Sequence, residues 1–338
     1  MKNHESQYPH LANSDIDKRE TSPPLVSVIA LCYNQSHFVK TTLDSINKQT
    51  YSSLELIIID DFSNDNSVQL INDWIESNNV KANFLRHSEN RGICNSLNEG
   101  LANCEGKYVQ IIACDDILLP DKIDSQVCLM EKFSNRVAMV YSDANLIDEN
   151  GLKIEGSFIK RQREFRSLPE GYIYETLLGG NFIPPMAALF RKNSIEEIGG
   201  FDENICYEDY DLLLRISRKY EIKADPTVLT KYRVHSRNFE KLYSHYFEDI
   251  YFIWIKHLHF APMLRMARDT VRNLYLNGNR QHRVYENALD NKFSLFNGTY
   301  EKVFFVYNIP PLFLRIWIKL ARIVGMLRKV FSSVSQIE

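Results

Sequence analysis

The sequence predicts an α/β fold on a mostly parallel sheet, and three observations carry that expectation. Short runs rich in β-branched residues alternate with segments whose apolar residues recur at three and four positions. The run Leu54 to Ile59 reads as a buried strand, the kind that a sheet covered on both faces requires. Two runs end in paired acids, Asp60-Asp61 and Asp115-Asp116. On a parallel sheet both pairs fall along the carboxyl edge, where α/β proteins bind ligands.

In chain order, Leu25 to Leu31 forms the first strand, and Phe38, Thr42, Leu43 and Ile46 mark a helix that stops near Gln49. After the second strand, Val68, Ile71, Trp74 and Ile75 lie on another helix. Ala82 to Arg86 is a third strand, and Asn90-Arg91-Gly92 opens a helix holding Ile93, Leu97 and Leu101. The fourth strand starts at Tyr108 and runs into Cys114-Asp115-Asp116. This alternation implies right-handed βαβ crossovers. Further on, Lys122 to Phe133 reads as helix, Val137 to Tyr141 as strand and Asp143 to Lys160 as turn-rich chain. Gly179-Gly180 and Pro184-Pro185 mark loops. A turn at Gly199-Gly200 leads to a helix with Glu208, Asp209 and Asp211 in its first turn, where acids suit the helix dipole. Tyr232 to His235 follows a short strand near Val228.

With 338 residues the chain holds one large domain or two smaller ones. A formal charge of −3 argues against a general nucleic-acid binder. The six cysteines form no Cys-x-x-Cys pair and read as reduced core residues of a cytoplasmic protein. Residues 1–24 are polar, lack the apolar core of a signal peptide and read as a flexible lead-in. No stretch qualifies as an uninterrupted membrane span.

Two carboxylates at a buried strand end are costly unless something positive lies between them. A divalent cation bound to phosphate suits Asp115 and Asp116, because Mg²⁺-type ions take one or two carboxylates plus phosphate oxygens. The other reading is an N-cap, with Pro120 in the first turn of the next helix. Asp61-x-Ser63-x-Asp65 opens like a calcium loop, but Asn66 and Asn72 stand where a Gly and a Glu are needed. That turn either meets a ligand through Asp61 or caps the next helix through Ser63 or Asp65.

Several motifs then occur in a telling order: Val-Ser-Val-Ile with Tyr33-Asn34; Gln49-Thr50-Tyr51; Asp60-Asp61-x-Ser63-x-Asp65; Asn90-Arg91-Gly92; Cys114-Asp115-Asp116; Gly199-Gly200-Phe201-Asp202; Glu208-Asp209-Tyr210-Asp211; Tyr232-Arg233-x-His235. In this order the chain resembles a family 2 glycosyltransferase of the GT-A fold. The resemblance covers Val26 to Asn238, so residues 25–238 are the expected GT-A domain and 239–338 a helical C-terminal region. It implies inverting transfer from a UDP- or dTDP-sugar to a hydroxyl of a glycan or lipid-linked acceptor, as in O-antigen or capsule-type polysaccharide synthesis. By the same resemblance Tyr33 borders the base, Asp61 hydrogen-bonds it, and Arg91 lies on the diphosphate side. Asp115 and Asp116 match the ribose and metal motif, with Mg²⁺ or Mn²⁺ as cofactor. His235 matches a further metal or phosphate contact, and Asp209 the catalytic base. Taken singly, Tyr33 also suits plain packing, Arg91 a surface charge and His235 a structural histidine. The chain departs from the pattern at Ala113, where the fuller motif has a further acid, and at Phe62, where a glycine is common.

Ala113 leaves room for a second reading, a nucleotide-sugar-binding protein without catalysis. A third, a nucleotidyltransferase, lacks its glycine-rich basic loop, since Cys32-Tyr33-Asn34-Gln35 follows the first strand. Near the C-terminus, Arg315, Lys319 and Arg322 form a basic stripe beside Leu312, Ile316, Leu320 and Ile323. Such a helix either lies peripherally on an anionic membrane, here its inner face, or packs on the catalytic domain or a second copy as a homodimer contact.

Overall fold

The computed structural model describes residues 22–236, 238, 246–278, 282–291, 294–297, 299, 302, 305 and 310–320. The expected lead-in before residue 22, and Arg322 and Ile323 of the basic stripe, lie outside the described residues.

Strands β1 (Val26–Cys32), β2 (Leu54–Asp60), β3 (Ala82–Arg86) and β4 (Tyr108–Ala113) alternate with helices α1 (Val39–Asn47), α2 (Ser67–Asn78) and α3 (Ile93–Ala102). Next come β5 (Ile117–Leu118), α4 (Lys122–Met130), β6 (Val137–Tyr141), β7 (Ala144–Ile147), β8 (Lys153–Ser157), α5 (Phe158–Gln162) and α6 (Tyr174–Leu178). Then follow β9 (Ala188–Arg191), α7 (Lys192–Glu197), α8 (Glu208–Lys219), β10 (Glu221–Ala224) and β11 (Thr230–Arg233). Helices α9 (Tyr246–Ile255), α10 (Ala261–Leu276) and α11 (Arg283–Asp290) succeed them, and residues 311–320 are helical.

Seven strands make the main sheet in the order β10-β6-β9-β4-β1-β2-β3. The pairs β1/β2, β1/β4, β2/β3 and β6/β10 are parallel, whereas β9 runs antiparallel to both β4 and β6. Helices cover both faces, which is why the strands are apolar on both sides. Along β1 the side chains alternate: Val26, Val28, Ala30 and Cys32 join the core under α1, α2 and α4, while Ile29 joins the core under α3 and α8. Helix α3 approaches closely at Gly100, where a Cβ would meet Ile29 and Ile59 at 2.9 Å.

The expectation of turn-rich chain between Asp143 and Lys160 needs correction. Strands β7 and β8 form an antiparallel pair there, within a second sheet ordered β5-β11-β7-β8. This small sheet brings His235 back beside Asp115-Asp116, because β11 pairs with β5 immediately after the acids. The N-cap reading of those acids also fails. Helix α4 starts at Lys122, and its N-cap position is Asp121.

The C-terminal helices do not stand apart from the sheet domain. Ile253 of α9 is fully buried in the core that also holds Leu212 and Leu213. Asp249 accepts a hydrogen bond from the Cys206 N–H at 2.6 Å, and the Lys256 ammonium reaches Asp202 at 2.6 Å and Asp211 at 2.7 Å. Helix α9 and the turn after it thus pack on the sheet domain.

Candidate active site

Strand β1 lies between β2 and β4, all parallel, so three strand ends meet along one edge. The Asp61 N–H donates to the Cys32 carbonyl at 2.9 Å, and the Cys114 N–H donates to the Leu31 carbonyl at 2.9 Å. Asp61 and Asp115 therefore flank the end of β1, and Tyr33 leaves that end between them with its side chain 46% exposed. An aromatic side chain left half in solvent is not part of the core packing.

Asp61 is 4% exposed and tightly held. Its carboxylate accepts hydrogen bonds from the N–H groups of Arg91 at 2.8 Å and Gly92 at 3.0 Å, and His87 Nδ1 lies 2.7 Å from Oδ1. Gly92 adopts φ +84°, a left-handed conformation that glycine enters without penalty, and this aims its N–H at the acid. The Arg91 guanidinium points elsewhere, to Glu99 at 2.7 Å. In the structure Arg91 thus serves Asp61 through its backbone, while its half-exposed side chain pairs with a surface acid. Phe62, in place of the common glycine, takes φ +67°. That strain is of the order of 1 kcal/mol for a side chain. It leaves a second aromatic ring exposed at the end of β2.

Asp115 Oδ2 lies 3.0 Å from His235 Nε2 and accepts from the Gln35 amide at 3.2 Å. His235 comes from the turn after β11 and is fixed from behind: its N–H donates to Asn238, and its ring lies 4.8 Å from that of Phe38. Arg233 clamps the same turn, donating from Nε to the Asp115 carbonyl at 2.7 Å and stacking over Phe38. Asp116 is more buried, and its Oδ1 accepts from the Arg233 N–H at 2.8 Å. Burial, and then the adjacent Asp115 charge, push the Asp116 carboxyl well above the usual carboxylate range.

Among the described residues no three His, Cys, Asp or Glu side chains form a metal cage. The donor set still fits a hard divalent cation shared with a ligand. Asp115 and His235 supply a carboxylate and an imidazole at one point, and phosphate oxygens and water complete such shells. Asp116 is partly committed to strand β11.

Asp209 opens α8 together with Glu208. Its carboxylate accepts from the Asn181 amide at 2.9 Å and from the Tyr210 N–H at 2.6 Å. Asn181 is itself oriented, since its carbonyl oxygen accepts from the Ile183 N–H at 3.0 Å. Asp209 lines a cleft with Leu97 of α3, Ile111 of β4 and Pro185. Burial, and then the Asp209 charge, push the Glu208 carboxyl well above its ordinary range. Neither His87 nor Gln35 is marked as a site residue by the sequence, and Asn181 only begins a segment, Asn181 to Phe201, expected to lie on the acceptor side without individual roles. The only sequence signal is their nearness to motif residues or to loops.

A mostly parallel α/β sheet with acids at the ends of two neighbouring strands puts those acids along the edge where such folds bind ligands. The comparisons make the class specific. The model of glycosyl transferase family 2 matches residues 27–199, and the chain belongs to that family. A glycosyltransferase of Rickettsia felis is 31% identical over 249 residues, covering 70% of this chain and 38% of its own. One from Haemophilus influenzae is 32% identical, covering 66% of this chain and 69% of its own. The chain thus spans little more than a third of the Rickettsia felis relative. Among solved structures, a mannosyltransferase of Pyrobaculum calidifontis in complex with GDP-Man and Mn²⁺ has a TM-score of 0.54 at 18% identity, covering 89% of this chain and 81% of that one. S. aureus TarS in complex with UDP-GlcNAc has 0.54 at 16% identity, covering 84% and 79%. These likenesses identify the fold as GT-A.

Proposed function

We propose that the protein transfers a sugar, with inversion, from a UDP- or dTDP-sugar to a hydroxyl of a glycan or lipid-linked acceptor in surface polysaccharide synthesis. The observation that carries this reading is the convergence of the held carboxylates of Asp61 and Asp115 on the end of β1, which the half-exposed Tyr33 directly follows. A pyrimidine stacked on Tyr33 would present an N–H to Asp61, which only accepts. Asp115 and His235 would hold Mg²⁺ or Mn²⁺ against the diphosphate, with Asp116 supporting the site. The ion would supply Lewis-acid stabilisation of the departing diphosphate.

Asp209, oriented by Asn181, would accept the acceptor hydroxyl's proton as its oxygen attacks the anomeric carbon. A single in-line displacement inverts that carbon. Both solved relatives named above carry nucleotide sugars, one of them with Mn²⁺, which supports the donor class and the metal. A lipid-linked acceptor would keep the enzyme in the cytoplasm, peripheral to the membrane.

Calorimetric titration with UDP, dTDP, GDP and CDP, each with and without Mn²⁺, tests the reading. Metal-enhanced binding of UDP or dTDP is expected. Absence of binding by all four would overturn the donor-site assignment.

A further inference from the structure

Among the described residues, the helical run 311–320 seats itself on the C-terminal core by the edge that holds Leu314 and Ile318. Leu314 is fully buried, Ile318 packs beside it, and Arg315 donates to the Leu276 carbonyl at the end of α10. The opposite arc is apolar yet exposed: Leu312 (61%), Phe313 (55%), Ile316 (46%) and Leu320 (53%). With a turn every 3.6 residues, these four fall on one side of the helix, and Arg315 and Lys319 fall between them and the buried edge. Large apolar side chains gathered in this way mark an interaction surface.

Charge decides what the surface fits. From Lys302 to Ile337 the chain carries Lys302, Arg315, Lys319, Arg322, Arg328 and Lys329, and not one Asp or Glu, in a protein whose formal charge is −3. A second copy meeting this face would bring like charges together. A bilayer of acidic lipids instead accepts the apolar arc among its acyl chains and pairs the cations with headgroups. No helix of the described residues is long and apolar enough to cross a membrane. We infer that residues 311–320 are a docking surface for an anionic lipid membrane. The inference rests on this face alone and stands whether or not the sugar-transfer reading holds.

Co-sedimentation of the full chain with phosphatidylcholine vesicles, with or without about one third phosphatidylglycerol, tests it. Binding to the acidic vesicles is expected to be at least roughly tenfold tighter and to weaken with salt. Ile316→Glu and Phe313→Glu, both at exposed positions, should each reduce that binding about tenfold or more while leaving thermal unfolding unchanged. Equal binding to neutral and acidic vesicles would overturn the inference. So would no vesicle binding together with concentration-dependent dimerisation in sedimentation velocity that Ile316→Glu abolishes. Nucleotide binding measured on the same samples reports separately on the donor site.

Discussion

His87 Nδ1 lies 2.7 Å from Asp61 Oδ1, while its Nε2 lies 2.9 Å from Glu99 Oε2. Through these two contacts His87 ties Asp61 to α3 and fixes the carboxylate that the proposed nucleobase must meet. His87→Leu is expected to raise donor KM about tenfold, the worth of a hydrogen bond to a charged group, with kcat changed about twofold at most. Arg91→Ala, which removes a half-exposed ion pair and leaves the backbone N–H in place, should shift donor KM less than about threefold. Steady-state kinetics on the two variants checks both. A larger effect at Arg91 than at His87 would return the diphosphate role to the guanidinium.

The metal assignment predicts a different pattern. Asp115 and His235 converge within 3.0 Å although 120 residues separate them. Removing either should abolish the Mn²⁺-dependent gain in nucleotide affinity but leave most of the metal-independent affinity that Tyr33 and Asp61 provide. Asp115→Asn and His235→Ala, titrated with UDP before and after chelation by EDTA, give the comparison. If His235→Ala keeps the full metal response, the histidine is structural and Asp116 becomes the second ligand.

The strand ends were legible because each apolar run stops abruptly at charged residues, as at Ile59-Asp60 and Ala113-Cys114-Asp115. What the pattern could not carry was long-range pairing. His87 and Asn181 are single polar residues with no periodicity, and each finds its partner only when separate crossovers meet. Strand β9 is four residues long, follows Pro184-Pro185 and runs against its neighbours, so propensity gave little sign of it. Phe62 illustrates the reverse. Its departure from the common glycine is visible in the sequence and fits its φ of +67°, but nothing in the pattern announces its exposed ring next to Asp61.

Asp209 and Asn181 should separate chemistry from positioning. Asp209→Asn is expected to lower kcat by about 10³-fold, within the range of general-base contributions, while UDP affinity stays within about twofold. Asn181→Ala leaves the carboxylate present but less well aimed, and a loss of about tenfold in kcat is expected. Single-turnover measurements with saturating donor would show it. Near-normal turnover of Asp209→Asn would move the base elsewhere, with Glu208, which lines the same cleft, next in order.

The docking of α9 should also be sensitive to acid. His257 is 2% exposed, and its Nδ1 lies 2.6 Å from the Tyr174 hydroxyl of α6. Its Nε2 finds no hydrogen-bond partner among the described residues. Burial pushes His257 down to about 4, opposed by the Asp211 carboxylate and reinforced by His259, Arg218 and Lys256. An unfolded histidine titrates near 6.5, so between about 6.5 and about 4 the unfolded chain binds more protons than the native one. Stability from the neutral ring is therefore complete above about pH 6.5 and is lost as pH falls toward 4, by up to about 3 kcal/mol. Thermal unfolding followed from pH 7.5 to 4.5 should show Tm falling across this window. In His257→Phe the starting Tm should be lower, because the Tyr174 hydroxyl keeps only its longer contact to His259 Nε2 at 3.1 Å, but the acid-side slope should be shallower. Parallel wild-type and variant curves would show that another group governs the acid response.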